Sequence, residues 1–141
     1  MRFTTLAHLL DQQMLRSVYE SLRKDAAVGV DEMSYEAYGQ ELDANLRDLH
    51  ERMRSKRYRH QPIRRVHIPK GRGKTRPIGV STMEDKVVQG ALKRVLEALY
   101  EPLFLECSYG FRPGRSAHDA IRDMNSTLLR AHGGWILEAD I

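Results

Sequence analysis

The sequence predicts an α+β fold, and three features of the 141-residue chain support this prediction. Four segments repeat apolar residues at three- and four-residue spacing, which places them on one face of a helix. Between the second and third of these segments, two short extended runs surround Gly71 and Gly73, a pattern that indicates a β-hairpin. Near the end of the sequence, Trp135–Ile141 has the composition of a beginning strand.

The N-terminal segments predict a pair of helices. The first extends from Thr4 to about Asp25, and Gly29-Val30-Asp31 then interrupts the pattern. Ser34 is a natural N-cap for the second helix, which continues to about Lys56. The apolar stripes are Leu6, Leu9, Leu10, Met14, Val18 and Leu22 in the first helix, and Tyr35, Tyr38, Leu42, Leu46, Leu49 and Met53 in the second. Two such stripes predict a helical pair that packs on something larger.

The middle of the chain predicts the hairpin, because Pro62, Pro69 and Pro77 exclude a helix there. Val66 and Ile68 alternate with His67 in the first strand, and Ile78 and Val80 alternate with Gly79 in the second. Side chains of one strand point alternately to its two faces, so this spacing suits a half-covered sheet.

Two capping-box patterns predict the remaining helices. Ser81-Thr82-Met83-Glu84 opens a third helix, which Pro102 weakens near its end. Ser116-Ala117-His118-Asp119 opens a fourth, which ends at Gly133-Gly134. The broad apolar face of the third helix predicts substantial burial.

Positive charge is concentrated in one part of the chain. The formal net charge is +4, yet Arg52–Arg76 holds eleven Lys or Arg residues and no acid, so the rest of the chain carries −7. We call Arg52–Arg76 the basic window. A charge of one sign at this density indicates a polyanionic partner, of which nucleic acid is the commonest.

Other function classes find no support in the composition. Cys107 is the single cysteine, which excludes an internal disulfide and a cysteine metal cluster. No apolar run is long enough to cross a membrane, and the first residues lack the pattern of a signal peptide. We therefore expect a cytoplasmic protein without a membrane partner.

The hairpin is the first candidate site. Lys70, Lys74 and Arg76 bracket a turn whose glycines let backbone amides approach a ligand, and lysine and arginine both bind phosphate. The glycine spacing is not that of a P-loop. The alternative is a solvated basic hairpin with no specific ligand.

The second and third candidates lie later in the chain. Ser108–Ser116 combines two aromatic residues, two arginines and two glycines, which suits a nucleic-acid strand but equally suits a turn anchored to a core. Asp140 ends an apolar run, a position where phosphoryl-transfer enzymes hold Mg²⁺. By itself, however, an aspartate at this position is more typical of an ordinary turn at a strand end.

With these motifs in order, the chain resembles the N-terminal part of group II intron-encoded reverse transcriptases/maturases. The resemblance covers nearly the whole chain. Its blocks are Gly29–Ser34, Tyr58-Arg59 with Pro62–Lys70 and Thr75–Val80, Ser108–Ile121, and Trp135–Ile141. The block Ser108–Ile121 is highly specific. Two loop-level departures are Gly71-Arg72-Gly73, which replaces a turn richer in proline and glycine, and Glu32, where the family often has glycine.

The resemblance implies roles for individual positions. It implies that Lys70 and Arg76 contact the incoming deoxynucleotide triphosphate (dNTP) and that Arg64 lies on the template side. Asp140 matches the first metal-binding aspartate, with Ile141 offering its backbone carbonyl to the same Mg²⁺. The segment against the templating base is Pro77, Ile78, Gly79 and Val80, and the loop beside the template strand is Phe111, Arg112, Pro113, Gly114 and Arg115.

The resemblance also implies an organisation and an activity. It predicts a right-hand polymerase in which 1–57 form an N-terminal helical extension, 58–134 the fingers and 135–141 the start of an incomplete palm. Template RNA, a DNA primer and dNTP are the implied partners, and the oligomeric state stays open. A second aspartate pair would follow Ile141, so we expect no polymerase activity from this chain alone.

Two alternatives stand beside this interpretation. The chain or its parent could act as a non-catalytic RNA-binding module of the maturase type. It could also derive from a retron, a CRISPR-associated or a diversity-generating reverse transcriptase. The loop Gly110–Arg115 and the preceding helical segment favour the intron class.

Overall fold

Five helices and one β-hairpin form along the described part of the chain. The computed structural model describes residues 6–71, 73–131, 135 and 137–139. In chain order the elements are α1 (Gln12–Ser21), α2 (Tyr35–Gln40), α3 (Leu42–Arg54), β1 (Arg64–Gly71), β2 (Lys74–Val80), α4 (Met83–Tyr100) and α5 (Ala117–Ala131), with 3₁₀ turns at Ala7–Leu9 and Glu101–Leu103. Helices together with one antiparallel strand pair confirm the predicted α+β class.

The chain divides into two compact units, Met1–Glu97 and Ala98–Ile141. The first contains α1, α2, α3, the hairpin and most of α4, whereas the second contains α5 and the loop before it. The predicted division into a helical extension, fingers and palm stays a prediction.

The core of the first unit lies where α1, α2, α3 and α4 meet. It is built from Leu15, Val18, Tyr19, Tyr38, Leu46, Leu49, Met83, Val87, Val88 and Ala91. Gly90 of α4 permits the approach of α1, because a Cβ there would lie 2.5 Å from Cγ1 of Val18. The predicted helical pair therefore does pack on a larger element, namely α4.

The helix predicted from Ser34 to about Lys56 is two helices. The chain leaves the helical conformation at Glu41, whose φ and ψ are −119° and 38°. The side-chain amide of Asn45 donates to the carbonyl oxygen of Tyr38 at 2.9 Å. This oxygen therefore has a hydrogen-bond partner where the helix is interrupted. An asparagine side chain thus offers the backbone an alternative to the helical hydrogen bond.

The first helix is shorter than predicted at both ends. Asp11 caps α1 by accepting a hydrogen bond from the Met14 amide at 2.7 Å, so the helix begins at Gln12 and not at Thr4. At the other end, Leu22 takes an extended conformation directly after Ser21. The prediction missed the cap because the apolar spacing continues through Leu6, Leu9 and Leu10.

The sequence predicted the N-cap of α5 correctly and missed that of α4 by one residue. Thr82 caps α4 instead of Ser81: its hydroxyl accepts from the Asp85 amide at 3.2 Å and donates to the Asp85 carboxylate at 2.8 Å. The capping box of α5 is confirmed, because Ser116 and Asp119 exchange the predicted hydrogen bonds at 3.0 and 3.2 Å. The first box is shifted by one residue.

The predicted palm strand is not formed by the residues that can be described there. Trp135 and residues 137–139 have no regular secondary structure. Asp140 and Ile141 lie outside the described residues. A strand needs a neighbouring strand for its hydrogen bonds, and the hairpin is a complete sheet of two strands in order β1-β2.

The backbone conformation of Glu32 shows why a glycine would suit this position. Its φ is +56°, the left-handed region that a glycine enters without a steric penalty. We expect Glu32→Gly to raise the free energy of unfolding by about 0.5–1 kcal/mol, because relief of the steric crowding at Cβ exceeds the added chain entropy. Glu36→Gly is the matched control, since it lies inside α2 and should lower stability by about 1 kcal/mol in the same urea titration. A loss of stability in Glu32→Gly would contradict this assignment.

Candidate nucleic-acid interface

The strand register separates the predicted hairpin residues onto two faces. Arg64 pairs with Val80, Val66 with Ile78 and Ile68 with Arg76, and directly paired residues point to the same face. Lys74 continues the alternation of β2 onto this face, and Lys70 lies beside it at the β-bulge, where the register shifts between Pro69 and Gly71. Pro77 and Gly79 lie on the opposite face, with Arg65 and His67.

The first of these surfaces, which we call the cationic face, combines charge with an apolar strip. Val66, Ile68 and Val80 are half-buried and Ile78 is 39% exposed, so the strip is partly covered and partly exposed to solvent. The cations Arg64, Lys70, Lys74 and Arg76 surround it, and all four are exposed. Among the described residues, no carboxylate lies within ion-pair distance of these four side chains. The cationic face can therefore neutralise phosphate beside an apolar surface.

Both ends of the hairpin are attached to Asp85 in the first turn of α4. The Tyr58 hydroxyl and the Gln61 amide, which precede β1, donate to this carboxylate, the latter at 3.1 Å. Thr82, which follows β2, donates to it at 2.8 Å. The Asp85 residue is only 3% exposed. This arrangement, which we call the Asp85 clamp, fixes the base of the cationic face to the core.

The Tyr58 phenol stays protonated in the Asp85 clamp. Burial raises the pKa of the Tyr58 phenol, and the hydrogen bond to Asp85 raises it further. The Tyr58 hydroxyl therefore acts as a donor throughout the neutral range. Sequence reasoning missed this cluster, although Thr82-Met83-Glu84-Asp85 also fits the spacing of a capping box.

A part of the basic window is neutralised within the protein. Arg52 donates to Asp48 at 2.7 Å and to Glu84 at 3.0 and 2.5 Å, and the hydrogen bond to Glu84 raises its pKa. Arg57 lies 3.8 Å from Glu51. Arg52 therefore joins α3 to α4, and its charge is already balanced by carboxylates of the protein.

The loop of the second unit is held together by Arg112. Its side chain is only 7% exposed, and its guanidinium donates to Glu101 Oε1 at 2.9 and 3.0 Å and to the carbonyl oxygens of Leu105 and Ser108 at 2.8 and 2.9 Å. It also lies 5.2 Å from the centre of the Phe104 ring. These interactions direct Arg112 into its own loop.

The other loop residues have different surroundings. Arg115 pairs with Glu106, whose pKa the hydrogen bond lowers, and lies 5.5 Å from the Tyr109 ring centre. Phe111 is fully exposed and has a φ of +57°, and Gly114 has a φ of +68°. Pro113 is also exposed. Phe111 and Pro113 are thus the loop side chains that a strand could approach without breaking an ion pair.

The predicted metal site falls at the end of the sequence. Asp140 and Ile141, predicted to bind Mg²⁺, lie outside the described residues. Within residues 6–71, 73–131, 135 and 137–139, no cluster of three His, Cys, Asp or Glu side chains could hold a metal ion. None of the helices in that part of the chain is long and apolar enough to span a membrane.

Comparison with known proteins gives relatives for most of the chain. No family model matches it. It is 38% identical to Protein YkfC of Escherichia coli over 116 residues, 45% to the group II intron-encoded protein LtrA of Lactococcus lactis over 87, and 34% to an uncharacterized 91 kDa protein in the cob intron of Schizosaccharomyces pombe over 137. These matches cover 80%, 60% and 94% of this chain.

The chain spans only a small share of these relatives, namely 30% of YkfC, 14% of LtrA and 16% of the cob intron protein. Further relatives bear the names of intron proteins and of an intron maturase. These names agree with the resemblance found in the motif order. The chain is therefore a relative of the group II intron-encoded proteins, the reverse transcriptases/maturases that its sequence resembles.

Proposed function

We propose that this chain is the N-terminal portion of an RNA-directed DNA polymerase of the group II intron class, in which it binds template RNA and incoming dNTP. The observation that carries the proposal is the cationic face, where four exposed cations surround an apolar strip. A nucleotide presents the same two chemistries, a charged phosphate chain and a flat base.

On this proposal each part of the cationic face has a role. Lys70 offers a mobile charge and Arg76 a planar fork to the triphosphate, while Arg64, at the other end of β1, serves the template. Ile78 and Val80 lie beside the templating base, and Pro77 and Gly79 shape the strand behind them. Asp140 would give one carboxylate to Mg²⁺, which when bound neutralises phosphate charge during nucleotidyl transfer.

The second-unit loop contributes an exposed aromatic ring. Phe111 would stack on a template base and Pro113 would lie against the strand, because both side chains are exposed. Arg112, Gly114 and Arg115 would shape this loop, since Arg112 is turned inward and Gly114 occupies a left-handed turn. Arg112 is thus proposed as a positioning residue.

The test compares the two faces of the hairpin. Lys70→Ala with Arg76→Ala should weaken binding of a Mg²⁺–dNTP at least tenfold, since removing each charge-assisted hydrogen bond costs about 1–1.5 kcal/mol. Arg65→Ala is the control, because it removes a cation from the opposite face. Calorimetry would measure dNTP binding and fluorescence anisotropy RNA binding. An equal decrease of dNTP affinity in the control would overturn the assignment.

The second candidate is a non-catalytic RNA-binding module. Exposed cations alone favour it, because they suffice for binding phosphates. It predicts RNA binding without measurable dNTP binding. Catalysis has its own test: the purified chain should give no primer extension with Mg²⁺, and extension would contradict the expectation that this chain alone is inactive.

A further inference from the structure

We propose that the first unit has a second nucleotide site, which binds one nucleotide of a single-stranded RNA. The site is a pocket between the 3₁₀ turn Ala7–Leu9 and α3. The pocket lies on different elements from the cationic face. The inference rests on the RNA-binding part of the proposed function, since RNA is the polyanion that this function supplies.

The pocket has an apolar floor and a cationic rim. Its volume is about 440 Å³, and Leu10 and Met53 contribute apolar surface. His8 and His50 bring two imidazole rings, and Arg54 and Lys56 bring two cations. Ligand sites of this size are commonly apolar with a few polar groups that fix orientation. A base on the floor and a phosphate at the rim would match both parts.

A second cavity adjoins the first. It shares His50 and Arg54 with the pocket and adds Arg47, about two turns further towards the start of α3. Glu51 also lines it, but this acid lies 3.8 Å from Arg57. Within the described residues, Arg47, Arg54 and Lys56 have no carboxylate partner. The two cavities together provide a path for a strand, with Arg54 between successive phosphates.

The backbone of Lys56 gives an independent indication. Its φ is +59°, and it occupies the position after the C-cap of α3 where helices usually place glycine. The Arg57 amide donates to the Arg52 carbonyl oxygen at 2.8 Å, and the Lys56 amide to that of Met53 at 3.1 Å, which completes a Schellman motif. A lysine kept in a strained conformation that glycine would relieve points to a use for its side chain.

The residues that line the two cavities favour RNA over other anions. An acidic peptide would need hydrogen-bond partners in the protein for its own backbone amides and carbonyl oxygens. This pocket offers ring surface and point charges instead. Histidine rings stack on unpaired bases in single-stranded RNA recognition. A nucleobase in the pocket therefore accounts for the imidazoles, and phosphates account for the cations.

The decisive variant separates stability from binding. Lys56→Gly should raise the melting temperature by about 2–6 °C, because it relieves the left-handed strain. It should also weaken binding of a fluorescent single-stranded RNA about five- to tenfold. Glu32→Gly relieves the same strain away from the pocket, and Lys24→Ala removes the same charge from an exposed loop. Both controls should bind RNA like the unmodified chain.

The methyl signals of two methionines show directly whether RNA occupies the pocket. RNA should shift the ¹³C-methyl signal of Met53, which lines the pocket, and leave that of Met83 unchanged, because Met83 is fully buried in the core. An RNA of equal length with abasic sites should abolish most of the Met53 shift. A Lys56→Gly chain that binds RNA unchanged, or a Met53 signal that RNA does not move, would overturn the inference.

The hairpin variants distinguish this failure from that of the proposed function. If Lys70→Ala with Arg76→Ala abolishes dNTP binding while Met53 never responds to RNA, the pocket is wrong and the proposed function stands. If Met53 responds and the hairpin variants bind dNTP and RNA unchanged, the pocket stands and the role of the cationic face is wrong. A Met53 shift caused by an acidic peptide but not by RNA would also overturn the assignment.

Discussion

Asp85→Ala is expected to lower the free energy of unfolding by about 3–4 kcal/mol, the largest effect of any single change considered for the first unit. The substitution removes the acceptor of three donors, from Tyr58, Gln61 and Thr82, in a site that is 3% exposed. Unpaired buried donors cost more than the hydrogen bonds contributed. Urea unfolding followed by circular dichroism would measure the decrease.

Two comparisons make this result specific. Asp43→Ala removes an aspartate of the first unit that pairs with Arg16 at an exposed site, and should cost less than about 1 kcal/mol. Tyr58→Phe removes one donor of the clamp and should fall between the two. If Asp85→Ala were no more damaging than Asp43→Ala, the hairpin would not be attached through Asp85.

Gly29→Ala is expected to cost about 3 kcal/mol through overpacking. A Cβ at Gly29 would lie 2.6 Å from Cα and 2.7 Å from the amide nitrogen of Thr82. These are backbone atoms at the start of α4, so a side-chain rotation cannot make room. The same loop is held by Lys86, whose ammonium donates to the Ala27 carbonyl oxygen at 2.5 Å and whose pKa burial lowers.

A glycine in open space provides the comparison. A Cβ at Gly110 would meet nothing within 4 Å, so Gly110→Ala should leave stability unchanged or raise it by up to about 1 kcal/mol. Thermal unfolding of the two variants would show the contrast. A neutral Gly29→Ala would mean that the loop before α2 does not press against the base of the hairpin.

The sequence predicted the elements better than their ends. Periodicity and prolines located the helices and the hairpin, because those signals depend on many residues at once. The break at Glu41 was missed, since it depends on one side chain, Asn45, that bonds the Tyr38 carbonyl oxygen. The start of α4 was missed by one residue because Ser81 and Thr82 both fit a cap, and only Asp85 decides between them.

Charge counting found the hairpin but not the state of each cation. Composition treats Arg52, Arg76 and Arg112 alike, whereas Arg52 and Arg112 have carboxylate partners and Arg76 has none among the described residues. Whether an arginine faces solvent depends on distant residues such as Glu84 and Glu101. The prediction for Asp140 remains one that the motif order supports.

Backbone conformation was the property that the sequence predicted least well. Glu32, Lys56 and Phe111 have positive φ values although none is glycine. Nothing in the local sequence marks these positions, because the helix ends and turns around them impose the conformation. The resemblance to the intron proteins marks one of these positions, because the family often has a glycine where this chain has Glu32.

The salt dependence of RNA binding tests the central claim most directly. Affinity for a single-stranded RNA should fall steeply with NaCl concentration. Replacing Arg64, Lys70, Lys74 and Arg76 by alanine should reduce the slope of log K against log [NaCl] by about 2–3, near 0.7 for each phosphate that is no longer neutralised. These side chains are exposed, so circular dichroism should be unchanged. A variant with the unmodified slope would contradict the claim that the cationic face binds nucleic acid.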